Sequence, residues 1–173
     1  MRHKLAPSGH RDWGVPMIDD LQADIAAIQR IGCMSSMLEL CCQVTGMGYA
    51  AVSRVTESSW IACAVRDEAG FGIAMGDELD VDTTICGEVR TGPRAILIDH
   101  VAEDPIFREH RTPRLYGFQS YISSPILRAD GRLFGSLFAV DTAPAKLANS
   151  NAPNSFNLFA RLIAMELDAA DAG

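Results

Sequence analysis

At 173 residues the chain is long enough to bury one proper core, and its 48% apolar and 21% charged residues suit an ordinary globular domain. A formal net charge of −7, with no basic stripe interleaved with aromatic side chains, argues against nucleic acid as a partner. No apolar run approaches the roughly 20 residues needed to cross a bilayer, and five cysteines without CxxC spacing point to free thiols in a reducing cytoplasm, with no membrane partner.

Residues 1–16 hold His3, Pro7, Gly9, Gly14 and Pro16 without periodicity, which predicts a flexible N-terminal arm ahead of a single domain over 17–170. From position 17 the pattern changes: Ile18, Leu21, Ile25 and Ile28 recur three and four apart, the stripe of an amphipathic helix. A second helix is predicted over 35–44, with Met37, Leu38, Cys41 and Val44 on one face and Gly46 closing it.

"YAAVSRV" (49–55) and "WIACAVRD" (60–67) flank a polar turn and predict a hairpin. The glycine- and acid-rich stretch 68–82 reads as loop, and 83–92 as a short helix capped by Thr83 or Thr84 and closed by Gly92. A strand over 94–99 places Ala95, Leu97 and Asp99 on one side, and the stretch after it reads as loop with one or two helical turns, Asp104–Pro105 starting a helix. Strands at 119–127 and 133–141 are joined through Asp130–Gly131, a strong hairpin turn. A last helix over 155–169 presents Phe156, Phe159, Leu162, Ile163 and Leu167. Antiparallel hairpins with terminal helices left over make the fold α+β. The terminal helices are expected on one sheet face and residues 68–118 on the other.

The strand at 119–127 poses the functional question. It carries Ser120, Tyr121, Ser123 and Ser124 in five residues, and each buried hydroxyl needs a partner. Alternation puts Gln119, Tyr121 and Ser123 on one face and Ser120, Ile122 and Ser124 on the other, without saying which face holds a ligand. A polar-lined cavity stands against hydroxyls bonded to neighbouring backbone. His100, His110, Arg111 and Arg114 concentrate cationic groups in an acidic chain; a solvated segment paired with Asp99, Glu103, Asp104 and Glu109 is the competing reading.

The stretches "TTICGEVRTGPRAILIDHVAEDP", "TPRLYGFQSYISSPI" and "DGRLFGSLFAVDTAPAKL" resemble the GAF domain family, in the variety found in bacterial sensor histidine kinases, over about residues 19–169. The resemblance implies an antiparallel sheet of five or six strands. It also implies terminal helices that form a homodimer and signal to an effector such as a histidine kinase, and a small-molecule pocket on the opposite sheet face. On this reading 119–127 is the pocket floor and 104–118 its lid. The ligand-binding candidates are then Cys86, Asp99, His100, His110, Arg114, Tyr116, Phe118, Ser120, Tyr121 and Ser123, with the cationic groups available to a carboxylate or phosphate.

Cys86 lies where the free methionine sulfoxide reductases, an enzymatic branch of the family, have a similar "ICG". That branch needs further cysteines downstream, and none follows here. The Asn-Lys-Phe-Asp-Glu signature of cyclic-nucleotide GAF domains is missing. Residues 1–32 and 87–118 contain no cysteine, so no covalent bilin is expected. The cofactor is left unknown. Alternatives to a non-enzymatic sensor are a redox enzyme using Cys86, a noncovalent tetrapyrrole sensor with His100 or His110 on haem, and a dimerisation platform whose cavity is filled by Phe71, Phe107, Phe118 and Tyr121. No catalytic constellation and no metal cluster at zinc-site spacing is expected.

Overall fold

The computed structural model describes residues 18–86 and 92–173. The arm expected over 1–16 and most of the helix expected over 83–92 lie outside the described residues. The chain begins with α1 (Ile18–Gln29) and α2 (Met34–Thr45), followed by the hairpin β1 (Tyr49–Val55) and β2 (Ser59–Asp67). Next come β3 (Glu78–Asp80), a 3-10 turn at Val81–Thr83, and β4 (Ile96–Ile98). After α3 (Arg111–Tyr116), the hairpin β5 (Ser120–Leu127) and β6 (Leu133–Asp141) leads into α4 (Ala152–Ala172).

The six strands form one antiparallel sheet in the order β3-β2-β1-β6-β5-β4. Both faces are covered, so the strands read as nearly continuous apolar runs instead of alternating ones. One core joins α1, α2 and α4 to Val52, Ile122, Leu137 and Ala139. The other joins Tyr49, Ala51, Tyr121 and Phe138 to the segment between β2 and β5. This is the layering expected from the sequence.

The differences have local causes. β3 falls inside the stretch read as loop, because Glu78–Leu79–Asp80 is too short to show alternation and pairs only with β2. α4 begins at Ala152 instead of 155, since Pro153 in the first turn lacks only an N–H that has no helical partner anyway. Val44 is 37% exposed and so does not belong to the buried face of α2, which Met34, Met37, Leu38, Cys41 and Cys42 supply. Gly46 closes that helix at φ 70°, a left-handed conformation that favours glycine. In β4 the expected side of Ala95, Leu97 and Asp99 is the helix side for Leu97, whereas Ile96 and Ile98 face the second core.

Two arginines fasten helices to the sheet. Arg54 on β1 donates to Asp24 of α1 at 2.7 Å, lies 5.0 Å above the Phe134 ring, and donates to the Phe134 carbonyl at 2.6 Å. Arg128, at the end of β5, bonds Asp168 at 2.6 Å and also Asp171, tying the last turns of α4 to the β5–β6 hairpin. The Ala129 N–H adds a bond to Asp168 at 2.9 Å. The Arg128 hydrogen bond holds the Asp168 carboxyl below its ordinary range. A depressed carboxyl contributes stability above its unfolded pKa and loses it as pH falls through the folded one. Protection factors for amide exchange over residues 164–172, corrected for the intrinsic pH dependence, are therefore expected to fall on acidification below about pH 4, and to be low already at neutral pH in Arg128→Gln. Equal protection in both proteins would show that this link does not hold the helix.

Candidate functional site

The second core is not completely filled. A cavity of about 50 Å³ lies between the sheet and the segments that cover it. Its floor is Tyr49 of β1, Trp60 of β2, Tyr121 of β5, and Phe138 and Val140 of β6. Thr112, Tyr116 and Phe118, on and just beyond α3, form one wall. Thr84, Ile85 and Cys86 form a second. Phe71, Ile73 and Leu79 form a third, from the stretch read as plain loop.

That third wall is held by a specific device. Burial would raise the Asp67 carboxyl, but the N–H groups of Gly72, Gly70, Phe71 and Ala69 outweigh it and hold it below its ordinary range. The four bonds measure 2.8, 2.7, 3.2 and 3.1 Å in that order. They fold the loop so that Phe71 meets Tyr49 edge-on, with ring centroids 5.5 Å apart. Tyr49 in turn donates to the Ile73 carbonyl at 3.2 Å. Phe138 touches Tyr49, Trp60 and Tyr121, and Tyr121 touches Phe118, so the rings form one connected belt.

A short polar chain interrupts this apolar surface. The Cys86 thiol lies 3.2 Å from Ser136 Oγ and 3.6 Å from the Tyr121 hydroxyl, and Ser136 Oγ lies 3.0 Å from Ser53 Oγ. β1 and β6 bring the two serines opposite each other. Sequence reasoning missed Ser53 and Ser136. Each is an isolated serine in an otherwise apolar strand, and that buried hydroxyl was the available signal.

The structure brings Cys86, Tyr116, Phe118 and Tyr121 to the cavity. Ser123 shares the sheet face of Tyr121 and is fully buried without a hydrogen-bond partner, but does not line the cavity. Ser120 lies outside the lining and donates to the Ala143 carbonyl at 2.7 Å. Asp99 accepts from the Leu147 and Ala148 N–H groups at 2.9 and 3.3 Å and so secures the loop before α4. His100 contacts Glu103 at 3.4 Å. His110 Nδ1 accepts from the Thr112 N–H at 3.2 Å, capping α3. Arg114 is exposed and paired with Glu109 at 2.6 Å. His100, His110 and Arg114 are thus engaged in local pairs and caps instead of converging on the cavity, and the lining is aromatic and aliphatic instead of polar.

Of the other thiols, Cys33 is exposed and Cys41, Cys42 and Cys63 are buried. Burial pushes Cys41 and Cys63 up to about 12, and both sit in the helix-side core, with the sheet between them and Cys86. All five cysteines are free. Reducing agent is accordingly expected to leave the melting temperature unchanged; a drop of several degrees would reveal a cross-link.

The GAF domain family model matches residues 30–167. The chain belongs to the GAF domain family. Solved structures with this fold include the blue-light absorbing form of the PixJ GAF domain of Thermosynechococcus elongatus. It is 13% identical, with a TM-score of 0.65, covering 90% of this chain and 91% of that one. The domain of a putative two-component sensor histidine kinase from Sinorhizobium meliloti is 16% identical, with a TM-score of 0.56, covering 80% and 90%. The type II free methionine-R-sulfoxide reductase of Thermoplasma acidophilum is 15% identical, with a TM-score of 0.59, covering 84% and 95%. At these identities the likeness is one of fold. Among curated proteins, none matches the sequence. No single helix among the described residues is long and apolar enough to cross a membrane.

Proposed function

We propose that this GAF domain is a cytoplasmic, non-enzymatic sensory module. It binds a small molecule in the cavity between the sheet and the covering segments, and signals through its terminal helices in a homodimer to an effector such as a histidine kinase. One observation carries the reading: the same strands floor the cavity on one face and anchor α1, α2 and α4 on the other. A ligand that favours one packing of Tyr121 or Phe138 thereby biases neighbours such as Ile122 and Leu137, on which the helices rest. It can shift the helices only by as much as it prefers one arrangement over the other. The absence of a second thiol beside Cys86 supports a binding role over a reductase.

The seam proposed for the dimer lies on α4, not on the apolar stripe of α1. Ile28 is fully buried and Ile25 packs against the domain core, so that stripe is largely used within the protomer. α4 instead exposes Leu158, Leu162 and Met165, at 53%, 39% and 64%, four and three residues apart. That is the spacing of a coiled-coil seam. Light scattering at micromolar concentration is expected to give twice 18.7 kDa. Leu162→Asp is expected to return the monomer mass, with a melting temperature lowered only by the stabilisation that association supplies and no longer dependent on concentration. A wild-type mass near 18.7 kDa removes the dimer from the proposal.

A further inference from the structure

The chemistry of the cavity narrows what it can hold, given the reading above that the domain senses a small molecule. We infer that the ligand is uncharged, apolar and compact. Three features of the wall lead there.

Among the described residues that line the cavity, none is Asp, Glu, Lys, Arg or His. An ion entering between these aromatic and aliphatic side chains would lose its hydration with no counter-charge among the described residues to replace it. Burial raises the Tyr49 hydroxyl pKa, and the nearby Asp67 and Asp77 carboxylates raise it further. Both, however, direct their carboxylates at backbone: Asp67 at four N–H groups, and Asp77 at the Ala74 N–H, 2.8 Å away. Neither carboxylate therefore faces the belt of rings as a counter-charge, and a cation would rest on the ring faces alone.

The polar atoms on the wall are also engaged within the protein. Tyr49 bonds the Ile73 carbonyl, Thr84 the Val81 carbonyl at 2.8 Å, and Thr112 the Thr83 carbonyl at 3.1 Å. The Tyr116 hydroxyl lies 3.0 Å from Thr83 Oγ1, and Cys86 joins Tyr121 to Ser136. Tyr49, Thr84 and Thr112 have committed their hydroxyl protons to carbonyls, so a ligand carboxylate meets no free donor among them, and a ligand hydroxyl could only donate to them. Apolar contact, by contrast, adds dispersion and releases water along the whole wall.

Size sets the last limit. One water needs roughly 10–15 Å³ of such space, so 50 Å³ admits about four waters or a molecule of about six heavy atoms. That is well below the roughly 300–1,000 Å³ of sites for drug-sized ligands, and too small for a tetrapyrrole or a cyclic nucleotide in the arrangement described. Small hydrocarbons and dissolved apolar gases fit this description.

Trp60 lines the cavity and reports on it directly. In Trp13→Phe, which leaves Trp60 as the sole tryptophan, the emission spectrum is followed during titration with xenon, benzene, acetate and tetramethylammonium. Xenon NMR of the same protein provides an independent readout. Xenon and benzene are expected to perturb Trp60 saturably, and acetate and tetramethylammonium to have no effect up to tenfold higher concentration. Val140→Leu, which extends a side chain into the free space, is expected to weaken xenon binding at least tenfold. Should that variant fold poorly, the selectivity series on the parent protein decides alone. Tighter binding of acetate or tetramethylammonium than of benzene overturns the apolar class and leaves the sensor reading standing. If no probe of any charge is bound, both fall, and the domain is a dimerisation platform with a packed interior.

Discussion

Replacing Gly135 by alanine is expected to be among the most damaging single changes in the protein, costing about 3 kcal/mol or more. Gly135 stands opposite Arg54 in the β1–β6 ladder, and a β-carbon there would lie 1.7 Å from the Ser53 carbonyl oxygen and 2.7 Å from its carbon. Both obstacles are backbone, so no rotamer change relieves them. The strands must separate, and Ser53–Ser136, the start of the polar chain to Cys86, separates with them. The check is the denaturant midpoint, together with solubility on expression. Gly48→Ala serves as a graded comparison, since its β-carbon would meet the Ala69 side chain at 2.8 Å on a loop that can shift. A Gly135→Ala protein with the parent midpoint would mean that the central pairing of the sheet is wrongly described.

Phe156→Ala is expected to cost about 4 kcal/mol. Phe156 is fully buried at the start of α4, where it packs with Ile163 and Leu167 into the core shared with α2 and the sheet. Removing the ring leaves a cavity that a close-packed interior only partly closes. Because α4 also carries Leu158, Leu162 and Met165, the variant is expected to lose the dimer as well as thermal stability. Leu162→Asp, by contrast, should lose the dimer and only the stability that association supplies. Measuring mass and melting temperature on both variants separates the two roles of the helix. If Phe156→Ala melts with the parent protein, α4 is not part of the folded core.

Much of this arrangement was legible before the structure. The bounds of β1 and β6 follow from their flanking turns, and Asp130–Gly131 announced the hairpin whose Gly131 adopts φ 85°. The GAF resemblance over 19–169 corresponds to the family match over 30–167. What could not be read was orientation. Tyr121 and Ile122 are both buried, so the burial of β5 carries no alternation to say which face meets the helices. The cavity wall at Phe71, Ile73 and Leu79 was hidden because glycine and acid dominate its composition. A lone phenylalanine between Gly70 and Gly72 was the visible trace. Charge misled in the other direction: His100, His110 and Arg114 are near in sequence, yet each satisfies a neighbour within a few residues. Proximity along a chain does not say where a side chain points.

The pairing of β1 with β6 also governs how the protein can be made. The Ser53–Ser136 contact spans 83 positions, so the two hairpins can form early but join only after a large loop has closed. During synthesis β1 and β2 emerge with an open edge, and Phe156, Ile163 and Leu167, which seal the helix-side core, emerge last. A nascent or truncated chain lacking β6 therefore displays an apolar strand ready to pair with another copy of itself. Ribosomal pausing before residue 133 would lengthen that exposure, and holdase chaperones would act chiefly in this interval.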